Sequence, residues 1–327
     1  MSIKAIIFSF DRALQVDATL HSFYMHCQDA ARVDMYVLYR VSSEGHEAQY
    51  QSLSLAYPQV SFVREINFHN DLRRILLSFY RSNLQRKIFE FVELVNSLQF
   101  QENLTTPWLI NKLKKLGRRL LSLRAPDPGL DKYALFMVDD NLFIRDFNLV
   151  SVVTALQSFT DAIGFSLRLG NNTTFCYSHN ATQPIPPHEK TGDCIFMHEW
   201  GSAQYDFNYP LEVSSSVYRA SQIMPFLAAI PYANPNTLEG EMAARSRQFV
   251  KKFPKLLWFE TSVAFCNPVN KVQDVVPYNR AALTHYYTVD ELAQRFDMGE
   301  RIDVESYNGF TPNACHQELE LKFVSVK

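Results

Sequence analysis

The chain has 327 residues, 47% hydrophobic and 20% charged, enough to bury a large core, which excludes a disulfide-stapled miniprotein and a disordered tail. Its 32 basic and 34 acidic residues leave a net charge of −2, so the molecule lacks the overall field of a general nucleic-acid binder, and no nucleic-acid partner is expected. Cys27, Cys176, Cys194, Cys266 and Cys315 form no CxxC pair, which argues against a zinc knuckle or disulfide framework and for buried free thiols in a reducing, cytoplasmic setting.

The apolar run that opens the chain is too short for a signal-peptide core, and no later run reaches the ~18 apolar residues of a spanning helix. Ile3 to Phe10 reads as a strand, and Ala13 to Cys27 as a helix carrying Leu14, Leu20, Phe23 and Tyr24. Val33 to Val41 is a second strand, Glu47 to Tyr57 a helix stopped by Pro58, and Val60 to Arg64 a third strand. This β-α-β-α-β order predicts an α/β fold, a mostly parallel sheet with helices on both faces, and ligands beyond the carboxyl ends of its strands.

Residues 69–124 then change character, with 11 Lys/Arg against 4 acidic residues, a local +7. Leu72, Ile75, Leu76 and Phe79 make one helical stripe and Trp108 to Leu123 a basic amphipathic helix, so the segment reads as a helical insertion. Such a surface suits peripheral contact with anionic lipid headgroups, where each cation contributes about 1 kcal/mol. The sequence Ala125 to Gly129 ends it. Tyr133 to Val138 and Ala162 to Leu169 return to strand, 171–190 is a polar loop, and Ser214 to Ile230 is helix-like despite Pro225. A helix starts near Asn236 or Thr237, Leu256 to Phe265 is a strand, and Glu318 to Val326 an edge strand.

The chemistry concentrates where the apolar strand from Tyr133 ends in Asp139, Asp140 and Asn141. Adjacent carboxylates cannot be buried unpaired, so they belong at a strand end, in water or on a hard cation such as Mg²⁺ or Mn²⁺ completed by substrate phosphates. Arg168 ends another strand and offers either a bidentate match to diphosphate or to an anionic acceptor, or a structural salt bridge to one of the strand-end acids. Arg12 and Asp11 follow the first strand. The indole of Trp200, beside His198, suits either the apolar face of a donor or acceptor sugar ring or a place in the core. There is no GxGxxG and no GxxxxGK[ST], against dinucleotide oxidoreductases and P-loop enzymes.

Four segments together resemble the nucleotide-sugar glycosyltransferases of the GT-A fold, especially bacterial family 2-like enzymes. They are the opening strand and loop from Ile6 to Gln15, Phe136 to Asn141 in the place of the DxD motif, Asn236 to Glu241 in the place of an acidic base at a helix start, and Asn313 to Glu318 with His316. The resemblance implies one GT-A-like (Rossmann-like) domain over 1–327. Its nucleotide-sugar-binding half would be 1–68 and 125–170, and its acceptor-binding half 171–327. It implies a nucleotide-sugar donor contacted by Ser9, Asp11, Arg12, Asp139 and Arg168, and a divalent cation (Mn²⁺ or Mg²⁺) held by Asp140, Asn141 and His316. Glu239 would be the base of an inverting transfer to a glycan or lipid-linked acceptor, with Glu241 and Asp206 as fallbacks and His198, Trp200 and Asp206 on the acceptor. The third motif position is Asn141 where the family has Asp, which leaves a non-catalytic GT-A-like binding protein as the alternative. A nucleotidyltransferase is a third reading, weakened by the absence of a Gly-rich basic loop after the first strand. Charge compensation at the diphosphate and deprotonation of a hydroxyl are the two tasks such a transfer demands. A carboxylate at a helix N-terminus is held ionised by the helix dipole, so Glu239 becomes a stronger base only when desolvated.

Overall fold

Alternation along the first strand decides the architecture. The structure, a computed structural model, describes residues 2–79, 132–271, 280–284 and 286–326. In β1 (Ser2–Phe10), Ile3, Ala5 and Ile7 enter one hydrophobic core and Ile6 and Phe8 another. In β4 (Lys132–Val138), Tyr133, Leu135 and Met137 join the first core, Ala134 and Phe136 the second. Strands apolar on both faces must be covered on both faces. Helices α1 (Ala13–His26), α2 (Glu44–Ala56) and α4 (Leu149–Ser158) pack into the first core, as does α7 (Val289–Asp297). Helices α3 (Phe68–Leu77), α5 (Ala220–Leu227) and α6 (Pro235–Ala244) pack into the second.

β2 (Val33–Arg40) and β3 (Val60–Arg64) lie parallel to β1, and β1 parallel to β4. Then come β6 (Ala162–Ser166), β9 (His188–Gly192), β10 (Ile195–Glu199), β11 (Ser216–Arg219) and β12 (Lys255–Phe259). The nine strands form one sheet of order β3-β2-β1-β4-β11-β6-β12-β10-β9, in which β11 and β10 run against the other seven. Among the described residues, three two-stranded ribbons stand outside it: β5 (Asn141–Phe143) with β13 (Ala264–Cys266), β7 (Phe175–Cys176) with β8 (Ala181–Thr182), and β14 (Glu300–Ile302) with β15 (Phe323–Ser325). The α/β class and the mostly parallel sheet are as the sequence predicts.

Several boundaries differ, each for a tertiary reason. Ser214 to Ile230 is not one helix: Val217 and Tyr218 form β11, wedged antiparallel between β4 and β6, and only Ala220 onward is helical. The strand expected over Leu256 to Phe265 breaks into β12 and β13, because β13 leaves the main sheet to pair with β5 behind the acidic tip. The closing edge strand shrinks to β15. Of the basic insertion, α3 is a core helix, with Leu72, Ile75 and Leu76 buried against the sheet. The helix predicted over Trp108 to Leu123 lies outside the described residues. Four of the five free cysteines are buried as expected, but Cys194 is exposed.

Candidate active site

The parallel strands β1, β2 and β4 and the neighbouring β6 all end at one cleft of about 780 Å³. Ser9, Arg12, Asp139, Asp140, Arg168, Asp206, Glu239 and His316 line it together. Asp11, Asn141 and Trp200 are absent from that lining, and His198 borders a different cavity.

At the end of β1 the polar groups are closed on one another. Asp139 accepts from Ser9 Oγ at 2.8 Å and from Arg12 Nη1 at 2.9 Å. The Tyr50 hydroxyl lies 2.5 Å from Ser9 Oγ and accepts from Arg12 N at 3.1 Å. Arg12 Nη2 also donates to Asn270 O at 2.9 Å. Asp11, at φ +57°, turns aside, and its carboxylate accepts from Ser42 N at 2.9 Å, so it pins the loops after β1 and β2 to each other. The nucleotide role expected of Asp11 therefore finds no support in its position.

The two remaining members of the acidic tip have opposite fates. Asn141 is fully buried: its Oδ1 accepts from Val138 N at 2.9 Å and its Nδ2 donates to Cys266 Sγ at 3.1 Å. The amide closes the turn that carries Asp139 and Asp140, and an ionised carboxylate there would be buried without a counterion. Asn141 is thus a turn-closing residue and not the cation ligand expected of it. Asp140 faces the cleft with its Oδ1 buried and unpartnered. Burial pushes its pKa up, Arg12 and Arg168 draw it down, and Asp139 adds to the rise.

Arg168 stands in the floor. Its Nη2 donates to Glu212 at 2.9 Å, and its Nη1 to Cys266 Sγ and His316 Nε2, each at 3.2 Å. The loop that carries it is pinned at Gly170, where a Cβ would stand 2.4 Å from Ser262 N, so only glycine lets the two backbones meet. Because a guanidinium only donates, His316 Nε2 is the acceptor and the imidazole is neutral. Burial and the adjacent Arg168 charge push the His316 pKa down to about 3.

Glu239 comes from α6, whose start is set by a capping box: Asn234 Oδ1 accepts from Thr237 N at 2.9 Å, Thr237 Oγ1 accepts from Asn234 N at 3.1 Å, and Pro235 opens the helix. The helix begins earlier than the sequence predicts, which moves Glu239 beyond the first turn, where the dipole no longer holds it ionised. Burial first, then the like charge of Glu212, push its pKa up to about 7, against the opposing pull of Arg168, Val213 N and Tyr209. Asp206 also lines the cleft, with Oδ2 buried and unpartnered and Oδ1 3.5 Å from Cys176 Sγ. Burial raises its pKa, and Arg168 opposes the rise.

The other expected residues serve the fold. Trp200 is fully buried, its Nε1 donating to Phe253 O at 2.7 Å, so its indole offers no face to a sugar. His198 Nε2–H donates to Phe207 O at 2.8 Å while Nδ1 accepts from Trp258 Nε1 at 2.9 Å, and burial pushes its pKa down to about 4. Glu241 pairs with Arg245 along α6. The sequence reading missed Glu212, Tyr205 and Tyr209. Glu212 sits in an apolar stretch, Pro210-Leu211-Glu212-Val213, and such a lone acid next to a strand was a usable signal.

No family model matches the chain. Over 350 aligned residues, 99% of this chain, it is 25% identical to the bifunctional glycosyltransferase pgtA of Dictyostelium discoideum. The chain is related in sequence to a glycosyltransferase. It spans 38% of that relative's length. Among solved structures, S. aureus TarS is similar with a TM-score of 0.40 at 9% identity, covering 81% of this chain and 36% of that one. TarS in complex with UDP-GlcNAc gives 0.39 at 10%, covering 96% and 68%.

A cation set of Asp140, Asn141 and His316, implied by the resemblance to that class of enzyme, does not assemble here. Asn141 is turned inward, and the Nε2 lone pair of His316 is occupied by Arg168. Among the described residues no group of three His, Cys, Asp or Glu side chains is placed to hold a metal. What fits is a smaller site, the unpartnered buried oxygen of Asp140, since Mg²⁺ and Mn²⁺ are commonly held by one or two carboxylates plus substrate phosphates.

Proposed function

We propose that the chain is a glycosyltransferase that moves a sugar from a nucleoside-diphosphate donor to an acceptor hydroxyl of a glycan or lipid-linked glycan, with inversion and with Glu239 as base. The observation that carries this reading is a single cleft holding both a half-buried carboxyl poised near neutrality and, at the carboxyl ends of the strands, a carboxylate with an unpartnered oxygen. In the reaction the acceptor oxygen attacks the anomeric carbon and its proton passes to Glu239. The bond from that carbon to the β-phosphate oxygen breaks, and the nucleoside diphosphate leaves with the electron pair. A base whose pKa sits near the working pH is the efficient one.

Charge counting supports a donor that arrives with its cation. Arg12 and Arg168 are already paired with Asp139 and Glu212, while Asp140 and Asp206 each keep a buried oxygen without a partner. Asp140 would hold that cation together with the donor phosphates, and the cation would offset the charge of the departing diphosphate. Tyr205 and Tyr209, at the rim beside Asp206, are assigned to the acceptor sugar in place of Trp200. The alternative of a non-catalytic binding protein loses its motive, since Asn141 has a structural reason to be an amide.

Thermal-shift measurements with UDP, GDP, CDP and dTDP, each with Mn²⁺ or EDTA, test donor binding. One nucleotide should stabilise the protein only with the cation, and Asp140→Ala should abolish that shift. Glu239→Gln should keep the shift and lose turnover by roughly 10²-fold or more. No shift with any nucleotide overturns the donor; full turnover in Glu239→Gln overturns the base.

A further inference from the structure

The order of the sheet gives the donor a direction. Asp140 follows β4, whereas Glu239 lies 3.4 Å from Val213 N, in the loop before β11 on the far side of β4. A diphosphate at Asp140 whose sugar faces Glu239 therefore sends its nucleoside the other way, across the ends of β1, β2 and β3. That run is three strand spacings, roughly 14 Å. Along it, Phe10 stands in register with Arg40, and Glu65 N donates to Tyr39 O at 2.7 Å, continuing the ladder one residue past β3. Phe10, Arg40 and Glu65 thus form a row. Strand alternation puts the row on the face of Phe8 and Leu38, the side of the sheet that α6 covers. Phe8, Leu38 and Phe68 give it an apolar floor, and all six residues line the cleft. The Arg40 guanidinium sits over the Phe10 ring, 5.3 Å from its centroid. Arg12 and Arg168 are committed to ion pairs, but among the described residues no side-chain hydrogen bond or ion pair ties the head group of Arg40 or of Glu65.

We propose that Arg40 and Glu65 read the base of the donor and select guanine. This rests on the reading of the donor as a nucleoside diphosphate sugar. A carboxylate only accepts, so its two oxygens match a pair of adjacent N–H groups; a guanidinium only donates, and matches a pair of adjacent acceptors. Guanine carries both pairs on neighbouring edges: N1–H with the N2 amino group, and O6 with N7, which arginine takes bidentately. Uracil and thymine offer one N–H between two carbonyl oxygens. Adenine and cytosine set a ring-nitrogen lone pair beside their amino group. Each of these four would bring an acceptor against Glu65, which repels it. Adjacent strands, about 4.8 Å apart, hold the two head groups side by side as neighbouring base edges require.

Isothermal titration of the full chain with Mn²⁺ tests this, using GDP, UDP, inosine diphosphate, which lacks the N2 amino group, and 7-deaza-GDP, which lacks N7. GDP should bind about tenfold or more tighter than each of the other three, the worth of one hydrogen bond to a charged group. Glu65→Ala should erase the preference over inosine diphosphate, and Arg40→Ala the preference over 7-deaza-GDP. Arg40 is exposed and Glu65 half-buried, so both variants should keep the melting temperature of the parent chain. A GDP affinity matched or exceeded by any of the three overturns the selection of guanine and leaves the donor reading standing. A preference that survives either substitution overturns the assignment to these residues. Binding of no nucleotide at all overturns the donor reading, and the selection with it.

Discussion

Glu239 carries a cost that depends on pH. Its folded pKa is about 7, while an unfolded glutamate titrates near its ordinary value of 4.5, so between those values the unfolded chain ionises more readily and stability falls as pH rises. The penalty is absent below the unfolded value and complete above the folded one. Glu239→Gln removes the charge and keeps the shape. It should therefore be more stable than the parent chain at pH 8, by about 1–2 kcal/mol once partial solvent screening is allowed for, and equal to it near pH 4. Urea unfolding of both proteins at the two pH values checks this, and an equal midpoint at pH 8 would show that the carboxyl is not strained. At this scale the sequence was informative about identity and poor about partners. Asp140 was legible because an apolar strand ends abruptly at an acid. The inward turn of Asn141 was not, because its partner Cys266 lies 125 residues further along the chain.

Elements explain why a chemically plausible residue can be structural. Trp200 and His198 sit where β10 and β12 pack on the short turn of helix over Tyr205–Asn208, and their rings contact Phe253, Phe207 and Trp258 through hydrogen bonds or edge-on stacking. Trp200→Ala should cost about 3–5 kcal/mol as a cavity in the second core. The surviving folded fraction should bind nucleotide diphosphate with unchanged affinity, measured by calorimetry at a temperature where the variant is folded. A large loss of affinity in the folded protein would restore Trp200 to the site. The β-α-β-α-β opening was readable because each element has its own period and its own stop, such as Pro58 after α2. β11 was not, since Val217 and Tyr218 suit a helix end or a strand equally, and only the gap between β4 and β6 decides.

Across the whole molecule the charge is unevenly placed. Residues 69–124 carry 11 basic and 4 acidic side chains, +7, which leaves −2 − 7 = −9 for the rest. α3 takes Arg73 and Arg74, and Arg74 is paired with Asp71. The nine further cations, from Arg81 to Arg124, lie outside the described residues. Among the described residues no helix is long and apolar enough to cross a membrane. We propose that this uneven charge draws residues 69–124 toward an anionic surface, each cation near the surface contributing about 1 kcal/mol. The attraction must be salt-sensitive, because the screening length falls from about 8 Å at physiological ionic strength to about 3 Å at 1 M. The full chain should therefore co-sediment with phosphatidylserine-containing vesicles at low salt, be released at high salt, and ignore pure phosphatidylcholine at both. Retention in high salt would point to apolar insertion instead, and no sedimentation at low salt would remove lipid-linked delivery of the acceptor as the reason for this charge pattern.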